Sequence, residues 1–291
     1  MTTHALLRLD VEYILRKFRN RRVLYAPNPG NAGDALIAMG TFHCFSKLGI
    51  FFTLLDDFLA KGGDISKETV ILAGGGNFIP QYGSIKKQLQ TVHTAKEVIL
   101  LPHTIRGNEE TLAMLGSNVT LICRDLQSFI HTQKSTKGPT VLLAHDMAFH
   151  LDVERLLFSS SHEPEYRQKM AKALERNKID FDALRELDRV FFMRGDKESA
   201  GHDTERHMDL SKVFSFGIMP DTAVPSAWCF LEAIRCMKSV TTDRLHVGIG
   251  CAILGQTCTL LDNSYGKNSE IYQYSLKTFF DNVSFFKTVP A

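Results

Sequence analysis

Six short apolar runs in the first half of the chain, each closed by a turn cluster, restrict the fold more than any other feature. "RVLYAP", "IFFTLLDD", "TVILAGGG", "EVILLP", "VTLICRD" and "TVLLAHDMAF" are nearly continuous in apolar residues rather than alternating. A strand with water on one face alternates, whereas a strand buried on both faces does not. The parallel sheet covered by helices is the architecture that buries both. Between the runs lie stretches of helical spacing: "ALIAMGTFHCFSKLG", which stops at Gly49, then "SIKKQLQTVHTA" and "NEETLAMLGS". Strand and helix in alternation define an α/β fold.

The alternation stops at residue 152. Residues 152–189 are polar and helical and read as a connector outside both sheets. A second alternating unit follows: "RVFFMRGD", "VFSFGIMP", the helix "AVPSAWCFLEAIRCMKS", "SVTTDRLH", a small-residue helix, and "CTLLDNSYG". With 291 residues, 44% of them apolar, the chain reaches the size of about 250–300 residues at which one core stops growing. The expected architecture is two Rossmann-like α/β lobes with parallel sheets facing a cleft. Residues 1–151 form the first lobe, 152–189 the connector, and 190–267 the second lobe. Residues 268–291 form a helix packing back.

Composition removes several classes of function. Lys and Arg number 34 against 32 Asp and Glu, too balanced for a nucleic-acid protein. The six cysteines are scattered without zinc or disulfide spacing, and no cluster has metal-ligand spacing. The first twenty residues carry charges throughout, unlike a secretory leader, and no apolar run has the length of a membrane span. The expectation is a reduced, cytoplasmic protein, at most peripherally associated with membrane, using neither metal nor cofactor.

Chemistry is expected in the turns after the strands, where parallel α/β proteins bind ligands. In "NPGNAGD", Gly30 and Gly33 permit a tight turn, and Asp34 either caps the following helix or meets hydroxyl groups. The turn lacks the G-x-G-x-x-G spacing of a dinucleotide site. In "AGGGN", Gly74, Gly75 and Gly76 can present N–H groups to an anion, with Asn77 as a side-chain partner. "MRGD" supplies Arg194 and Asp196. "TDRLH" places Arg244 and His246 at a helix start, where a cation opposes the helix dipole unless an anion is bound. "LLDNSYGKN" adds Asn263, Ser264 and Lys267, the last beside Gly266 and able to reach a phosphate.

These motifs in this order, "NAGD", "GGGN", "MRGD", "TDRLH" and "LDNSYGKN", resemble the polysaccharide pyruvyl transferases over nearly the whole chain. The resemblance implies a two-lobed fold like the GT-B glycosyltransferases. It also implies transfer of a pyruvyl group from phosphoenolpyruvate to a pair of sugar hydroxyls, on a free or lipid-linked oligosaccharide, with release of phosphate. The donor carries a carboxylate and a phosphate, so Arg194, Arg244, His246, Asn263, Ser264 and Lys267 become its expected ligands. His246 and Arg244 are the expected catalytic pair, with His246 as the proton carrier. Asn31, Gly33, Asp34, Gly75, Gly76 and Asn77 are expected to contact the acceptor. One departure from the family stands in "LLPHTI", where His103 occupies a position usually held by Gln. Two other readings remain open: a GT-B glycosyltransferase using a nucleotide sugar, and a non-catalytic sugar-binding protein of a polysaccharide assembly complex. The single tryptophan, Trp228, lies in an amphipathic helix and suits a core role better than a sugar platform.

Overall fold

A computed structural model describes residues 3–158, 161–202 and 206–289. The chain divides into two compact units, Met1–Pro29 with Gly40–Leu151, and Gly30–Met39 with Asp152–Ala291.

Unit 1 is built on a parallel sheet of seven strands: β1 (Arg22–Ala26), β2 (Phe51–Leu54), β3 (Thr69–Leu72), β4 (Gly75–Phe78), β5 (Glu97–Ile105), β6 (Val119–Cys123) and β7 (Thr140–Leu143). The order is β2-β1-β3-β5-β6-β7, with β4 also paired to β5. The inner runs are buried as expected, with Val70, Ile71, Leu72, Val98, Ile99 and Leu100 all fully inaccessible. The edge strands β2 and β7 are only half-buried, and Phe51 is exposed. "GGGN", expected as a turn, is instead the start of strand β4. Strand β3 pairs with Glu97–Leu100 of β5, and β4 resumes the same side of β5 at His103 and Ile105. The glycines let the strand kink and re-enter the ladder. Gly75 has φ +157, and a Cβ there would lie 2.4 Å from Asn28 Nδ2, so only glycine fits. Strand β5 likewise runs through Pro102, which falls at a register shift between Leu100 and His103 where an N–H is not needed.

Unit 2 holds a four-stranded parallel sheet of β8 (Val190–Phe192), β9 (Val240–Thr242), β10 (Cys258–Leu261) and β11 (Val283–Phe286), in the order β11-β10-β9-β8. Segment 152–189 supplies three helices, Val153–Phe158, Glu163–Arg176 and Phe181–Glu186, and no strand among the described residues. It packs within unit 2: the Tyr166 ring lies 5.9 Å from that of Trp228, and the Cys229 Sγ is 3.5 Å from the Tyr166 carbonyl. Trp228 is buried in the Pro220–Arg235 helix.

Two sequence expectations change here. "VFSFGIMP" is not a strand; it follows the short helix Leu210–Val213 as an irregular turn, held by Ser226 Oγ donating to the Phe214 carbonyl at 2.5 Å. The tail is helical only from Lys267 to Leu276 and ends in strand β11. Its "VSFF" run is β-branched and aromatic and finds an open edge on β10. All six cysteines are free thiols. Among the described residues no helix is long and apolar enough to cross a membrane, and no group of three or more metal-ligating side chains occurs.

Candidate active site

Three successive loops at the carboxyl ends of β8, β9 and β10 carry the charged residues of unit 2, and their side chains converge. Arg194 follows β8 and is buried. Its Nε donates to Asp196 Oδ1 at 2.8 Å, its Nη2 to Asp196 Oδ2 at 3.3 Å, and its Nη1 lies 3.0 Å from Glu198 Oε2. Arg244 follows β9, also buried, and clamps Asp209 through Nε at 3.0 Å and Nη2 at 2.6 Å. Its remaining Nη1 lies 2.8 Å from Asp196 Oδ2. One carboxylate, that of Asp196, is therefore held by both arginines.

Lys267, after β10, is equally buried and reaches Glu198 Oε2 at 2.7 Å. The Asn263 carboxamide accepts from the Lys267 N–H at 2.8 Å and so fixes the start of that helical turn. Ser264 is exposed, and its N–H donates to the Glu198 carbonyl at 3.1 Å. Three buried cations thus face the carboxylates of Asp196, Glu198 and Asp209. Burial works against the charge on Asp196, but the Arg194 hydrogen bond and the Arg244 charge outweigh it and hold its carboxyl below the usual range. Its side chain is 26% exposed, against 3% for Asp209 and 9% for Glu198, so Asp196 is the carboxylate with a route to solvent.

Asp243, between the two arginine positions in the fold, is a different kind of acid. Its Oδ1 accepts from the Arg194 N–H at 2.7 Å, and its buried Oδ2 has no hydrogen-bond partner among the described residues. Burial raises its pKa, against the opposing pull of that hydrogen bond and both arginines.

His246 lies in the first turn of the Leu245–Leu254 helix, whose carboxyl end closes on Gly255 in the left-handed conformation (φ +70). Its imidazole packs against the "NAGD" turn. A Cβ built on Gly33 would sit 2.8 Å from His246 Nδ1. The Gly33 N–H donates to Asn31 Oδ1 at 2.8 Å, and the Asn31 N–H donates to Asp34 Oδ2 at 2.8 Å. Asn31, Gly33 and Asp34 thereby form a self-bonded turn beside the histidine, all of it within unit 2.

Gly75, Gly76 and Asn77 lie in unit 1. The Asn77 carboxamide is fully engaged there. Its Oδ1 accepts from Asn28 Nδ2 at 2.9 Å and lies 3.0 Å from His103 Nε2, while its Nδ2 donates to Asn28 Oδ1 at 2.7 Å and Ser84 Oγ at 3.0 Å. His103 is thus a buried anchor of the β3–β4 kink, its pKa pulled down to about 3 by burial and by the Arg124 charge.

Sequence reasoning named Asp196 but missed the other two acids of the cluster, Glu198 and Asp209. Glu198 had a signal, because it lies four residues after Arg194. Asp209, in "HMDLSK", had none; only folding brings it to Arg244 across 35 positions.

By its parallel sheets the chain is, as a class, a Rossmann-like α/β protein, here with a buried cluster of paired charges at the strand ends of unit 2. Within that class the chain belongs to the polysaccharide pyruvyl transferase family, whose model it matches over residues 31–265, and is a transferase. It is 25% identical over 284 residues to the pyruvyl transferase-named protein EpsO of Bacillus subtilis (strain 168), covering 87% of this chain and 85% of that one. It is 22% identical over 302 residues to General stress protein 30 of the same organism, covering 91% and 80%. A crystal structure of a functionally uncharacterised protein from Klebsiella pneumoniae superposes with a TM-score of 0.71 at 26% identity, over 97% of this chain and 99% of that one. The shared architecture is the Rossmann-like parallel α/β type that the apolar runs predict.

Proposed function

We propose that the protein transfers the pyruvyl group of phosphoenolpyruvate to two hydroxyls of a sugar in a surface or exopolysaccharide, or in its precursor, giving a pyruvate ketal and phosphate. One observation carries the donor assignment: Arg194 and Arg244 already grip a single carboxylate, that of Asp196, from two sides. The donor carboxylate has the same shape and charge as an aspartate side chain. It takes the place of Asp196, the most exposed of the three acids, while Lys267 faces the donor phosphate.

The chemistry then asks for one proton at carbon. Protonation of C3 turns the methylene into a methyl group and leaves cationic character at C2. A sugar hydroxyl bonds to C2 and gives up its proton. The C2–O bond to phosphate then breaks, the second hydroxyl bonds to C2, and its proton leaves with the phosphate. Of the two hydroxyl protons, one replaces the proton that His246 gave to C3 and the other goes with phosphate, so the reaction balances without a redox partner. His246 delivers and recovers the proton. The Asn31–Asp34 turn beside it receives the sugar hydroxyls.

Phosphate release on mixing the protein with phosphoenolpyruvate and a panel of oligosaccharide acceptors, followed by mass spectrometry of the product, tests the assignment. Products heavier by a pyruvate ketal are expected. His246→Gln should lower turnover at saturating donor by at least about a hundredfold. Consumption of a nucleotide sugar in place of phosphoenolpyruvate would refute the donor, and near-normal turnover in the variant would refute the role of His246.

A further inference from the structure

The amino-terminal helical segment has two apolar faces, and the fold uses only one. Leu7, Val11, Leu15 and Phe18 are buried against unit 1. Arg8 locks the segment in that orientation, its Nε donating to the Phe149 carbonyl at 2.7 Å and its Nη2 to the Leu151 carbonyl at 3.0 Å. On the opposite side Leu6, Leu9 and Tyr13 stand 45%, 43% and 67% exposed. Leu9 and Tyr13, four residues apart in the Leu9–Leu15 helix, share one face of it. The Arg16 guanidinium covers the Tyr13 ring, 4.4 Å from its centroid, which ties the stripe to the cations that follow.

Those cations are concentrated. "RKFRNRR", residues 16–22, holds Arg16, Lys17, Arg19, Arg21 and Arg22 in seven positions, and all five side chains are exposed. Lys17 and Arg22 pair with Glu97 and Glu68; Arg19 and Arg21 project from the turn before β1. The near-zero charge of the whole chain conceals this local excess. An exposed Leu/Tyr stripe continuous with a polybasic run matches a bilayer interface carrying anionic headgroups: apolar side chains enter the headgroup boundary, the tyrosine sits at its level, and the cations meet phosphate.

We infer that this face docks the protein onto an anionic lipid bilayer, lying on the surface without spanning it. The inference does not depend on the donor or on the acceptor. Sedimentation of the full chain with mixed phosphatidylglycerol–phosphatidylcholine vesicles, and with phosphatidylcholine vesicles alone, tests it. Binding at least about tenfold stronger to the anionic vesicles is expected, weakening as salt is raised. Arg19→Glu with Arg21→Glu should weaken it at least about tenfold, as should Leu9→Gln with Tyr13→Gln, all at exposed positions, with thermal unfolding unchanged. The arginine pair keeps the test decisive should the apolar pair fold poorly. Equal binding to both vesicle types, or wild-type binding by the arginine variant, would overturn the inference. So would a concentration-dependent dimer abolished by Leu9→Gln with Tyr13→Gln, which would give the stripe to a second copy of the chain.

Discussion

His246 rests against a residue that has no side chain, and that contact joins two motifs far apart in sequence. Alanine at position 33 would bring a methyl group to 2.8 Å from Nδ1 and 3.0 Å from the Cβ of His246, closer than carbon and nitrogen tolerate, so the imidazole must shift. Alanine also favours the first turn of a helix, so the fold should survive. Gly33→Ala is therefore expected to lower kcat by about tenfold to a hundredfold while leaving the melting temperature within a few degrees of wild type. Steady-state kinetics beside a thermal melt checks this, and an unchanged kcat would show that the imidazole position is not critical. Sequence alone placed Gly33 with the acceptor and His246 with the donor; the backbone approach that unites them has no signature in either motif.

At the level of elements, the Ala32–Leu48 helix sets propensity against packing. Gly40 lies in its interior, where alanine is intrinsically better by up to about 1 kcal/mol. The structure predicts the opposite outcome for Gly40→Ala. A Cβ there would sit 2.0 Å from the Met147 carbonyl oxygen and 2.8 Å from its carbon, both backbone atoms of the 3-10 turn Met147–His150. Neither can rotate away. Destabilisation of about 1–3 kcal/mol or more is expected, measured as a lower urea midpoint; a variant as stable as wild type would mean the turn yields freely. The strand elements were more legible than this helix contact. Each of the six apolar runs of the first half contains a strand; the inner ones are buried, whereas β2 and β7 at the sheet edges are only half-buried. The kinked β4 was not legible, since glycines carry no hydrophobic signal and the pairing that makes them a strand is with His103 and Ile105.

Across the whole molecule, buried histidines set the response to acid. His103 and His150 have pKa values pulled to about 3, in both cases first by burial and then by nearby arginine. An unfolded chain takes up a proton on each as pH falls through about 6.5, whereas the folded chain refuses it until about 3. The unfolded state therefore binds more protons in that window, and stability falls as pH falls from about 6.5 toward 3. Each histidine contributes a slope approaching about 1.4 kcal/mol per pH unit. Asp196, with its carboxyl held below the usual range, adds to the loss at the acid end, because its contribution disappears as pH falls through its folded value. Urea midpoints measured from pH 7 to 4 should drop steadily. His103→Gln can still donate an N–H to Asn77 but removes one titrating group, and it should make the decline shallower. An identical slope in the variant would exclude His103 as a source of acid sensitivity.

The sequence by itself determined the α/β class, the parallel sheets and the loops that carry the cations. Those follow from local composition: continuous apolar runs, helical spacing, and turn residues at strand ends. Tertiary structure alone decided the long-range part of how the charges are neutralised. It brought Asp209 to Arg244 and shared Asp196 between Arg244 and Arg194. It also turned the chain's end into strand β11, and assigned the Gly30–Met39 segment to the unit that holds His246. Each of these is a contact between residues far apart in the chain, set by burial and by the need to pair desolvated charges, and no local pattern encodes which distant partner a charge will find.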